Sequence, residues 1–74
     1  MKIYYKAIGE LRRKISCSEG EVECAKGTTA ANLIDKLGLE NKGLVIMVNG
    51  RKVGSEEPLN EDDRITLIPV AIGG

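Results

Sequence analysis

Apolar and polar residues alternate from Lys2 to Ala7, with Ile3, Tyr5 and Ala7 on one side and Lys2, Tyr4 and Lys6 on the other. That period of two predicts a strand with one dry and one wet face. Residues 9–18 are polar and charged, and the spacing within 10–15 allows a single helical turn. Alternation returns over residues 21–25, where Val22 and Cys24 point the same way, and predicts a second strand that stops at Lys26-Gly27. Thr28 or Thr29 is placed to cap a helix. Ala30, Ala31, Leu33, Ile34 and Leu37 then form a helical apolar stripe, and Gly38 is placed to end it. Such a helix, about ten residues long, is too short to persist on propensity and must be held by packing.

Leu44 to Val48 is a continuous apolar run and predicts a central strand. Asn49-Gly50 follows, two residues that tolerate positive φ, with Val48 on one side and Arg51-Lys52-Val53 on the other. This is a strong signal for a two-residue hairpin. Residues 54–63 are acidic and turn-rich, and Pro58-Leu59 places one leucine to tuck inward. Alternation over residues 64–68 predicts the last strand. Pro69 lacks the N–H a ladder needs, so pairing is expected to weaken there and residues 70–74 to form a free tail. The order is strand, strand, helix, strand, short strand, strand. One helix can cover one sheet, which predicts an α+β domain over residues 1–69: a mixed sheet of four to five strands with the helix across it. The first and last strands are expected near the middle.

Composition narrows the function. With 74 residues the chain has room for one small domain and no deep cavity. Tyr4 and Tyr5 are its only aromatic residues, so aliphatic side chains must build the core. Eleven basic residues balance eleven acidic ones, and histidine is absent. The usual general base near neutral pH and the commonest metal ligand are therefore missing. A nucleic-acid partner is not expected either, for want of a basic excess and stacking aromatics. Cys17 and Cys24 match no zinc or redox spacing. They allow a disulfide, but cysteine's habit of burial as a small hydrophobe favours two free thiols in a reducing compartment. Charge at Lys2 and Lys6 argues against a secretory leader, and no apolar run is long enough for a bilayer. A soluble cytoplasmic protein is the expectation. Glu56-Glu57 and Asp62-Asp63 are paired carboxylates, read as a solvated acidic loop. The same reading makes Arg12-Arg13-Lys14 a wet turn.

The terminus is more informative. Glycine is about 7% of average usage, so a chance Gly-Gly end has odds of about one in two hundred. Here Gly73-Gly74 follows a last strand and a stretch with no charge from Pro69 onward. A terminal carboxylate reacts only when activated, and the activating partner must take the tail into a narrow, dry cleft. Residues without Cβ suit that passage. Extended, residues 70–74 reach at most about 17 Å.

The whole chain resembles the MoaD/ThiS family of ubiquitin-like sulfur carriers. The resemblance rests on the first strand, Lys26-Gly27-Thr28-Thr29, Val48-Asn49-Gly50, Pro58-Leu59 leading to Asp63-Arg64-Ile65, and Ile68-Pro69-Val70-Ala71-Ile72-Gly73-Gly74. It implies the β-grasp fold and a protein cosubstrate rather than an enzyme. An E1-like adenylating enzyme would activate Gly74 with ATP, and the chain itself would bind no metal or cofactor. Sulfur would replace one terminal oxygen, and the thiocarboxylate would donate it to a cofactor precursor, with a cofactor synthase subunit as second partner. Pro69 and the inserted segment 9–18 favour the molybdopterin (molybdenum or tungsten cofactor) branch over the thiamine thiazole branch. Val70 and Ile72 depart from the common patterns of the two branches respectively. Two other readings stand: a modifier conjugated through Gly74, and a plain binding module.

A docking surface is also expected. If Ile46 and Val48 face the helix, Met47 faces out, and if Ile65 and Leu67 face in, Ile68 faces out. Met47 and Ile68 would then form an apolar partner-binding patch beside a tail in which Val70, Ala71 and Ile72 also meet the partner. The loop with Glu56, Glu57, Glu61, Asp62 and Asp63 could steer a basic partner.

Overall fold

The apolar alternations meet in a single mixed sheet. The computed structural model describes residues 1–9, 19–39 and 43–69. Its elements are β1 (Lys2–Ala7), β2 (Glu19–Glu23), α1 (Ala30–Lys36), β3 (Leu44–Val48), β4 (Arg51–Val53) and β5 (Arg64–Pro69). Across the sheet the order is β2-β1-β5-β3-β4. β1 and β5 run parallel, and the other neighbours are antiparallel. The expected order of elements holds, with β5 central and β1 beside it. The helical turn expected over residues 10–15, Arg12-Arg13-Lys14, Cys17 and the tail 70–74 lie outside the described residues.

One face of the sheet and one side of α1 build the core. Ile3 and Ala7 from β1, Ile46 and Val48 from β3, and Ile65 and Leu67 from β5 are buried with Ala30, Leu33 and Ile34 of the helix. Cys24, Leu39 and Leu59 complete the cluster, so Leu59 does tuck inward. Cys24 is a buried free thiol.

The helix is shorter than its stripe suggested, seven residues rather than about ten. Its two ends are held differently. At the C-terminus, Gly38 has φ of 79° and its N–H donates to the Asp35 carbonyl, while Leu39 N–H reaches Ile34 at 3.1 Å. This is a Schellman closure, which stops the helix within its own sequence. At the N-terminus Thr29 is the cap, accepting from Asn32 N–H at 3.3 Å. The first two helical N–H groups have no intrahelical acceptor. They donate to the carbonyls of Glu57 and Ser55, at 3.0 and 2.8 Å. The loop before β5 is thus stitched to the start of α1.

Two boundaries move, and one side chain changes its role. β2 occupies residues 19–23 rather than 21–25, because its partner is Lys2–Lys6 and Cys24 lies just past the paired stretch. Pro69 remains in register opposite Leu44, so β5 runs through it. The third change concerns Asp63, which is buried rather than solvated. Its carboxylate accepts from Asn49 Nδ2 at 2.9 Å and from the Asn60 N–H at 2.7 Å.

Candidate functional site: the outer sheet face and the root of the tail

Among the described residues no helix covers the sheet's second face. In each strand the residues between the core positions point there. Register places Val45 opposite Ile68 and Met47 opposite Thr66 on neighbouring β3 and β5. Tyr4 lies beside Arg64, and Lys6 beside Thr66, across the parallel β1 and β5. Met47 and Ile68 are therefore outward-facing, diagonal neighbours, each half-buried. Val45 completes a compact apolar patch with them; it was not named from the sequence, although the period of two along a strand puts it on the side of Met47. Ile68 is one residue from Pro69, the last described residue, so the patch sits at the root of the tail. Val70, Ala71, Ile72, Gly73 and Gly74 lie outside the described residues.

The hairpin next to this face is rigidly built. Asn49 and Gly50 both have positive φ, 54° and 83°, as a type I′ turn requires. Asn49 does more than turn the chain. Its Oδ1 accepts from the Arg64 N–H at 3.0 Å while its Nδ2 donates to Asp63. Asp63 also accepts on its backbone oxygen from the Tyr4 N–H at 2.9 Å. Asn49 and Asp63 thus lock the β3–β4 turn, the start of β5 and β1 into one unit. From the sequence Asn49 was expected as a turn residue and Asp63 as a charge on a solvated loop, each also within the family resemblance; the bond between them was not foreseen.

The remaining acidic residues divide. Glu61 accepts from the Lys2 backbone N–H at 2.7 Å. Glu56 and Glu57 are exposed at the turn before β5. Among the described residues no group of three or more His, Cys, Asp or Glu side chains could hold a metal ion. No helix among them is long and apolar enough to cross a membrane.

A five-stranded mixed sheet with one helix across a single face and a C-terminal strand in the centre defines a ubiquitin-like β-grasp domain. The chain belongs to the ThiS family, whose model matches residues 6–74. No curated protein sequence matches it. Among solved structures it is similar to a putative molybdopterin converting factor subunit 1 from Pyrococcus furiosus, at 23% identity and TM-score 0.81, covering 96% of this chain and 99% of that one. It is also similar to small archaeal modifier protein 1 of Haloferax volcanii, at 15% identity and TM-score 0.80, covering 95% and 98%. A third likeness is to a complex of subunits 1 and 2 of the molybdopterin-converting factor of Helicobacter pylori, at 18% identity and TM-score 0.67, covering the full length of both chains. At these identities the structural likeness shows the fold. Family and fold together make this a ubiquitin-like sulfur carrier or modifier.

Proposed function

We propose that the chain is a sulfur carrier that works through the carboxylate of Gly74. The observation that carries this reading is that the family match runs to the terminal Gly73-Gly74. In the proposed cycle an E1-like enzyme joins the Gly74 carboxylate to AMP from ATP and releases pyrophosphate. Sulfur delivered at the sulfide level then attacks the carbonyl carbon, the bond to AMP breaks, and AMP departs to leave a thiocarboxylate, which passes its sulfur to a cofactor precursor. The chain acts as cosubstrate, with Val45, Met47 and Ile68 as the surface that docks and residues 70–72 as the spacer that carries Gly73-Gly74 into the partner. The molybdopterin branch is favoured by Pro69 and by the likeness to the two converting-factor subunits. In that branch the synthase partner would be a large subunit of the kind seen in the Helicobacter pylori complex. The thiamine thiazole branch is the alternative sulfur acceptor.

Intact mass spectrometry after co-expression with the adenylating enzyme tests the carrier reading. The expected product is the mass increase for one oxygen replaced by sulfur, absent from a chain lacking Gly74. The likeness to a small archaeal modifier supports a second reading, conjugation through the same carboxylate. Covalent adducts on substrate lysines, with no thiocarboxylate, would favour it.

A further inference from the structure

The outer face is apolar only over β3 and the end of β5. Toward β1 it becomes cationic. The Arg64 guanidinium carbon lies 5.4 Å from the centroid of the Tyr4 ring, the residue beside it in the sheet. Lys6 is two residues further along the same face of β1. Lys2 is engaged by Glu21 at 3.9 Å, but neither Arg64 nor Lys6 forms an ion pair with a carboxylate among the described residues. Tyr4, Lys6, Arg64 and Thr66 line an open groove of about 600 Å³ whose far side carries Glu19 and Glu21.

Arg64 is held without a carboxylate among the described residues, whereas Lys2 is paired with Glu21 and the Lys36 ammonium donates to the Glu23 carbonyl. The Arg64 backbone N–H is fixed by Asn49 and its head rests on an aromatic ring. Stacking restrains the guanidinium while its in-plane N–H groups stay open to two parallel hydrogen bonds from a carboxylate. Distance makes this matter for docking. Arg64 is two residues along β5 and one strand over from Met47, about 8 Å away in an ordinary sheet. An interface of ordinary size covers about 800 Å² per partner, a patch roughly 30 Å across. A protein anchored on Val45, Met47 and Ile68 therefore covers Arg64 as well. Burying that cation without a counter-charge is strongly unfavourable.

We propose that the Arg64–Tyr4 pair, with Lys6 beside it, receives a carboxylate of the protein that adenylates Gly74 and sets the orientation in which the tail is delivered. The partner surface would present an apolar side chain to Met47 and an acidic one to Arg64. This proposal rests on the adenylation reading of Gly74.

ATP–pyrophosphate exchange by the adenylating enzyme from the same organism tests it, with the full chain as varied substrate. Arg64→Glu is expected to raise KM for the chain on the order of 30-fold or more, with kcat changed little. Arg64→Lys should sit between, since it keeps charge but loses the planar fork. The wild-type KM should rise with sodium chloride, and that of Arg64→Gln should be nearly flat. Thermal melts of each variant separate a folding defect from a docking defect, and Arg64→Gln serves if Arg64→Glu does not fold. A wild-type KM for Arg64→Glu and Arg64→Gln, beside normal wild-type exchange, overturns the proposal alone. Wild-type chain that drives no exchange overturns the adenylation reading and this proposal with it. A wild-type dimer by sedimentation that Arg64→Glu dissolves would assign the face to a second copy and also overturn it.

Discussion

The two faces of the sheet come from the same strands, yet they follow different rules. On the helix side the buried positions of β1, β3 and β5 are aliphatic, with Tyr5 packed at their margin, and their partners are a matching stripe on α1. On the open side the composition changes strand by strand, from glutamates on β2 through Tyr4, Lys6 and Arg64 to Val45, Met47 and Ile68. The first face is selected for burial within the chain. The second mixes charged, aromatic and apolar side chains, and its apolar part lies at the end of β5, next to residues 70–74. Stability should therefore reside in one face and recognition in the other.

Leu67 and Ile68, consecutive residues of β5 on opposite faces, test that division most directly. Leu67→Ala should cost about 2–5 kcal/mol in urea unfolding, because it empties a fully buried site between helix and sheet. Next in size is a polar residue that behaves like core. Asp63→Ala should cost about 2 kcal/mol, since it strands Asn49 and the Asn60 N–H without their charged acceptor. A negligible loss there would mean that the Asn49–Asp63 lock is dispensable. The smallest stability effect is expected for Ile68→Ala, about 1 kcal/mol or less. Its consequence should appear as weaker docking to the adenylating enzyme in the exchange assay. If Ile68→Ala proved as destabilising as Leu67→Ala, the open face would be part of the fold and not a surface awaiting a partner.

The difference between the two ends of α1 shows how far local sequence reaches. Gly38 was legible as a stop because its positive φ and the Schellman bonds involve only residues 34–39. The start was legible only as Thr28 or Thr29. The N–H groups of Ala30 and Ala31 are satisfied by carbonyls more than twenty residues away, at Ser55 and Glu57, which no local signal announces. The same holds at the site. Met47 and Ile68 could be assigned to the outer face by counting along their strands. That they are neighbours, and that Arg64 lies across Tyr4, depends on register between strands.

Sequence alone determined the order of elements, most residues of the dry face and the Asn49-Gly50 turn, and it singled out Gly73-Gly74 as the end to test. Each is written in local periodicity or in residue type, so short-range sterics and solvation suffice to read it. Tertiary structure decided the role of Asp63, the join between the β5-side loop and α1, and the placement beside the apolar patch of a ring-backed cation with no ion pair among the described residues. Those features arise from contacts between residues distant in the chain, where a charge changes meaning from solvating group to buried acceptor or docking point according to what the fold sets beside it.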